Sequence, residues 1–299
     1  MRNTLLFGLA LVVLVAVSGC QAHRPALPEL PAWQSSQGLD NSTLGQVVEL
    51  ASGRVLTPEA LVDTLQDVPR VLVGEKHDNP DHHALERWLL QALQTRRAQG
   101  SVLLEMLQPA QQSLVEALKS QPRLPPDLAV ALDWQQGWDW QLYEPVVREA
   151  LQGPGVLLAA DLSPEAMREA YRRQPPLSGT RSNAPTVKAA LLEQVREGHC
   201  GLLPESQLPA MLVVQQQRDR HMAERLLAAP QPALLVAGAY HVRNDLGVPL
   251  HLADLQAKGE TRVLLLAEAG QKVEAGMADY VWYTAALPEQ DYCAQLRGR

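Results

Sequence analysis

Two short apolar runs in this chain end in the same four-residue unit, and no other feature constrains its fold as tightly. Val71-Leu72-Val73 leads into Gly74-Glu75-Lys76-His77, and residues 233–237 lead into Gly238-Ala239-Tyr240-His241. Both runs are short, β-rich and bounded by turn residues, so they read as buried strands. In an open α/β sheet, ligands gather at the carboxyl ends of the strands. Two glycine turns that each release an imidazole at that edge are therefore expected to converge, although they lie far apart in sequence.

The surrounding pattern agrees. Strand candidates occur at 70–74, 101–105, 155–160, 233–238 and 262–267, with a sixth at 279–284. Amphipathic segments at 58–66, 80–97, 109–120, 143–151, 164–173, 186–197 and 207–229 lie between or beside them. This alternation predicts an α/β fold with a mostly parallel sheet flanked by helices. A loop, QPPLSGTRSNAP at 174–185, lies within a helical subdomain of about 162–230, inserted before the second G-x-x-H strand.

The chain ends add a location. Arg2 and the apolar run 5–17 form a signal peptide over 1–19, too short for a spanning helix, which needs about 20 apolar residues. Val17-Ser18-Gly19-Cys20 resembles the lipobox of bacterial lipoproteins, which implies lipid on Cys20 and a lipidated tether over 20–41. Gln21 after the cysteine implies the outer membrane, with the body, 42–299, facing the periplasm. The 33 acidic and 26 basic residues argue against nucleic acid as a partner. Cys200 and Cys293 are free to pair in an oxidising compartment.

Several residues are chemically suggestive. Asn79, Pro80 and Asp81 should start a helix, placing Glu75 and His77 on the turn before it. His82 is either a satisfied core histidine or a ligand, and His83 is expected to face solvent. Glu105 ends a strand beside them, as a metal ligand or general base would. On the 207–229 helix, Gln215 and Asp219 fall on the apolar stripe and need partners; Arg218 must find its own elsewhere. Tyr171, near Arg168, Arg172 and Arg173, offers a phenolate oxygen suited to ferric haem iron, with arginines able to receive propionates. Packing is the plainer reading of a lone helical tyrosine.

The stretches VLVGEKHDNPDHH, VLLEM, LAADLSPEAMREAY, GHCGLLP, VQQQRDRHMAERL and LLVAGAYHVRNDLGVP together resemble the ChaN-like family of haem-binding lipoproteins. That family lies in a broader group with TIKI-type proteases and erythromycin esterases. The resemblance implies that Glu75, His77, Glu105 and His241 converge at one edge, with Arg218 and Asp219 near it. It also implies a homodimer holding stacked haems at its interface, iron bound by Tyr171 and assisted by a partner histidine, His199 first and His221 second. Asp161 departs from the family's common Asn. The function implied is haem binding by an outer-membrane lipoprotein in iron acquisition, beside other haem-uptake proteins. The alternative is a divalent-metal-dependent hydrolase in which His77 and His241 hold the ion and Glu75 or Glu105 is the base. The residues do not decide whether the chain is an enzyme.

Overall fold

The structure, a computed structural model, describes residues 24–297; the signal peptide and the Cys20 lipobox lie outside them. Eight strands form one sheet in the order β2-β1-β8-β7-β3-β6-β4-β5. They are β1 (Val47–Glu49), β2 (Arg54–Leu56), β3 (Arg70–Glu75), β4 (Ser101–Leu104), β5 (Val156–Ala159), β6 (Ala233–Gly238), β7 (Thr261–Glu268) and β8 (Tyr280–Thr284). From β8 to β5 every pairing is parallel, and only β1 runs against its neighbours β2 and β8. The six strands expected from sequence are present. The β1–β2 hairpin was not expected, because three-residue strands are too short to show a period.

Both faces are covered, so the strands read as continuous apolar runs. Val71, Val73, Val102 and Leu104 pack under α1 (Pro58–Leu65), α2 (Pro80–Gln94), α3 (Gln112–Lys119), α4 (Leu128–Ala131) and α5 (Trp140–Gln152). On the opposite face Leu72, Leu103, Leu235 and Ala237 meet other helices. The helices α6 (Pro164–Arg173), α7 (Pro185–Gly198) and α8 (Leu208–Ala228) form the insertion, followed by α9 (Ala239–Val242), α10 (Val248–Asp254) and the terminal α11 (Tyr292–Arg297). The insertion is also a layer of the fold, since Met222, Ala223 and Leu226 of α8 join that second core. The 174–185 loop is held by Asp254, whose carboxylate accepts from the amides of Thr180, Arg181 and Ser182.

Side chains alternate between the faces along each strand. Glu75 follows Val71 and Val73 toward the α2–α5 layer, whereas Glu105 continues the parity of Leu103 toward α8. Two carboxylates that leave the same sheet edge are thus sent to opposite layers.

The expected tether is, from residue 24, laid against α2. Arg96 donates to the Pro25 carbonyl at 2.7 Å, Trp88 Nε1 to the Pro28 carbonyl at 3.0 Å, and the Ser35 amide to Asp81 Oδ2 at 3.0 Å. Proline and small polar residues here fit an extended strap whose backbone groups find partners on the helix. Cys200 and Cys293 form a disulfide, with 5.5 Å between their Cα atoms, joining α11 to the end of α7.

Candidate functional site

The two G-x-x-H strands, β3 and β6, are direct neighbours, with Glu75 opposite Gly238. Each glycine makes room for the other unit. A Cβ on Gly74 would lie 2.4 Å from Val242 Cγ2 and 3.0 Å from Ala239 Cα, so α9 rests on that bare position. A Cβ on Gly238 would lie 2.8 Å from both Cε1 and Nε2 of His77. The repeated glycine is therefore a packing requirement of two imidazole-bearing turns side by side. We expect Gly238→Ala to cost about 1–2 kcal/mol by overpacking and to push the His77 ring off Glu75. Its raised pKa should then fall toward the ordinary histidine value in an NMR titration; an unchanged pKa would contradict the assignment.

His77 Nδ1 donates to Glu75 Oε1, which also accepts from the Tyr143 hydroxyl at 3.1 Å. The ring stands edge-on to Trp138 at 4.8 Å. Burial opposes protonation of His77, but the bond to Glu75 outweighs it and the pKa is raised. Glu75 is buried while 42% of the His77 side chain is exposed, so Nε2 is the atom the dyad offers to the cleft. Burial and the carboxylate of Glu75 push the Tyr143 hydroxyl far above its normal range, so it stays a donor.

Facing the dyad, Glu105 accepts from the Gly238 amide at 2.7 Å through Oε2 and from Arg218 Nη2 at 2.7 Å through Oε1. Arg218 also forms a two-point bond with Asp161, both contacts 2.8 Å. His241 points Nδ1 at Asp219 and sets Nε2 3.3 Å from Glu105. Burial disfavours the imidazolium, but Glu105 and Asp219 overcome it and raise the His241 pKa to about 10. Burial likewise works against the Glu105 carboxylate, yet His241 and Arg218 hold its pKa well below the usual range. Glu75, His77, Glu105 and His241 line one cleft of about 540 Å³ with Arg218, Gln215 and Trp138. The expected convergence is present. A divalent ion shared by His77 and His241 does not suit these donors, because both His241 nitrogens face carboxylates and both Glu105 oxygens already accept.

His82 is a satisfied core histidine. Its Nδ1 accepts from the Lys76 amide at 2.9 Å, its Nε2 meets Thr284 Oγ1 at 3.0 Å, and burial holds its pKa well below normal. His83, expected in solvent, is instead buried: Nδ1 lies 3.1 Å from Glu86 Oε2 and Nε2 3.1 Å from the His77 carbonyl. Burial opposes its charge, but Glu86 raises its pKa to about 9. His83 and Glu86 continue the inward stripe of α2 with Leu90 and Leu93, and that spacing was the available signal.

Tyr171, Arg168 and Arg172 lie elsewhere, on α6, and do not line the cleft. Tyr171 is half-buried; Arg168 and Arg172 are exposed and pair with Glu165 and Glu169 of the same helix. His199 caps α7, its Nδ1 2.8 Å from the Val195 carbonyl. Tyr143, Glu86 and Trp138 were not anticipated in the site, and Asp161 was noticed only as a departure. Apart from the inward spacing of Glu86 on α2, nothing in their local sequence ties them to strands far away in the chain.

Residues 61–252 match the family described as haem-binding uptake, Tiki superfamily, ChaN. The chain belongs to the ChaN family. Its fold aligns with a solved structure of ChaN from Campylobacter jejuni, whose description is cofacial heme binding, at 27% identity and a TM-score of 0.73. That alignment covers 79% of this chain and 95% of the Campylobacter chain. Weaker likenesses extend to a MARTX toxin effector domain from Vibrio vulnificus, at 16% identity and a TM-score of 0.44 over 80% of this chain and 39% of that one. An erythromycin esterase in an open conformation aligns at 13% identity and a TM-score of 0.42, over 71% of this chain and 73% of its own. A comparison with curated proteins finds no match. In this chain the paired G-x-x-H edge carries two facing groups, the Glu75–His77 pair and the ionic network of Glu105, Arg218, Asp219 and His241.

Proposed function

We propose that this chain binds haem on the outer face of α6, with Tyr171 as the iron ligand, as a periplasmic lipoprotein of the outer membrane that serves iron acquisition. The observation that carries the reading is the alignment, over nearly the whole of the Campylobacter protein, with a structure described by its cofacial heme. The residues on α6 suit the group. Met167, Arg168, Tyr171 and Arg172 share one helical face, at spacings of three and four. Tyr171 is half-buried, and the arginines' present ion pairs are exposed, of the kind worth only about 0–1 kcal/mol. Exchange of those pairs for propionate carboxylates therefore costs little.

One helix face covers only one side of a flat macrocycle. A second copy with its own haem closes the other side, which favours a haem-linked dimer. His199 suits the assisting role: its Nδ1 contact to a carbonyl makes that nitrogen the donor and leaves the Nε2 lone pair outward. His221 comes second, because its Nε2 is buried without a partner. Haem would supply the ferric centre; the protein's part is to hold it and shield it. The disulfide between Cys200 and Cys293 favours an oxidising compartment such as the periplasm.

The test is haem titration with a concurrent size measurement. Ferric tyrosinate absorbance and doubling of mass are expected for the wild type. Tyr171→Phe should lose that absorbance and weaken binding at least tenfold. A variant with unchanged spectrum and affinity would show that Tyr171 is not the ligand, and haem uptake without a change in size would remove the dimer.

A further inference from the structure

Behind the His77–Glu75 dyad, in the α2–α5 layer, sits a second group of ionisable side chains that the haem reading does not use. Glu75, His83 and Glu86 are all buried, and each offers a ligand atom within 4.8 Å of the other two. One oxygen of each carboxylate is already held: Glu75 Oε1 by His77 and Tyr143, Glu86 Oε2 by His83. The other oxygens, Glu75 Oε2 and Glu86 Oε1, are fully buried and have no hydrogen-bond partner. Buried carboxylate oxygens without a partner are costly, and two such carboxylates grouped with an imidazole call for a shared occupant.

We propose that Glu75, His83 and Glu86 form a binding site for one divalent transition-metal cation. Two carboxylate oxygens and one imidazole nitrogen are a mixed oxygen–nitrogen donor set, which suits zinc, manganese or ferrous iron rather than soft, thiolate-seeking ions. His83 is arranged as a ligand, since its Nε2 can donate to the His77 carbonyl at 3.1 Å while Nδ1 faces the Glu86 carboxylate. Such a second bond is what fixes the tautomer of metal-bound histidines. A single proton shared between the two open oxygens is the competing occupant. A divalent cation instead neutralises both carboxylates and gives each open oxygen a partner, with His83 binding as a neutral imidazole.

Two routes lead to the group. Glu75 lines the central cleft, and His83 lines a separate cavity of about 280 Å³ between the N-terminal strap and α2–α5, with Glu29, Arg87 and Trp88 among its walls. The site differs from a metal held by the two G-x-x-H histidines in using neither of them. It also stands apart from the α6 haem face, so its failure leaves the haem reading intact.

Haem-free protein equilibrated with zinc chloride, then passed through a desalting column, should retain one zinc per chain by elemental analysis. Glu86→Gln should weaken zinc affinity at least tenfold. Because that variant removes a buried charge and can misfold, the wild type loaded with cupric ion supplies a second reading: pulsed electron paramagnetic resonance should show one coordinated imidazole. Three results overturn the proposal. They are no retained zinc, which leaves the shared proton as occupant; undiminished affinity in folded Glu86→Gln; and a two-imidazole signal, which moves the metal to His77 and His241.

Discussion

Arg218→Met is expected to destabilise the protein by about 3–5 kcal/mol, the range found when one partner of a buried ion pair is removed. Arg218 ties α8 to the ends of two neighbouring strands: it holds Asp161, just after β5, by two bonds and Glu105, just after β4, by one. Both carboxylates are buried. Without the guanidinium, Asp161 loses its only ionic partner among the described residues, while Glu105 keeps His241. A loss of that size is a large part of the about 5–15 kcal/mol by which native domains are stable. Arg218→Lys retains the charge but not the planar fork, so it should fall between the two. Guanidinium denaturation of the three proteins gives the comparison. A cost under about 1 kcal/mol for Arg218→Met would mean that water reaches these carboxylates and that the network is not the clamp described here.

Stability should also peak near neutral pH and fall on both sides, for different residues. In the metal-free protein His241 and His83 have folded pKa values of about 10 and about 9, raised from 6.5. A raised histidine stabilises the fold fully below its unfolded pKa, and that contribution is lost as pH rises toward the folded value. Around pH 8 the folded chain therefore binds close to two more protons than the unfolded one, a slope of about −2.5 kcal/mol per pH unit. On the acid side the sign reverses. His82 is held well below 6.5 by burial, and His251 is also lowered, chiefly by burial. The unfolded chain takes up protons there that the folded chain refuses, so stability declines below about pH 6.5. The Glu105 contribution is present above its ordinary 4.5 and is lost as pH falls further. Denaturation midpoints that stay level or rise from about pH 7 to 8.5 would contradict the charged state assigned to His83 and His241.

The legible parts of this fold were those with a local period. Apolar runs marked the six parallel strands, and Asn79-Pro80-Asp81 marked the start of α2, where Asn79 accepts from the Asp81 amide. The repeated G-x-x-H showed which strand ends belong together. Its deeper reason, each glycine yielding space to the opposite turn, needs the β3–β6 register and cannot be read from either copy alone. His83 was misplaced because His82 already occupied the expected inward stripe, whereas α2 is buried on more than one side. Tyr143 and Asp161 belong to other elements altogether, and their roles arise only from strand order.

The strap along α2 would set how far the body could stand from a bilayer if the chain is lipid-anchored as proposed. It runs from the Arg96 end of the helix, where Pro25 is held, to the Asp81 end, where Ser35 is held. These ends are about 22 Å apart for a fifteen-residue helix. If Cys20 carries lipid, only three residues separate it from Arg24, a reach of about 14 Å over four steps at full extension. Arg24 itself is paired with Asp63 on α1. A lipid on Cys20 would then lie within that reach of α1, on the side of the sheet away from the G-x-x-H edge. Under that condition the cleft would open away from the headgroups.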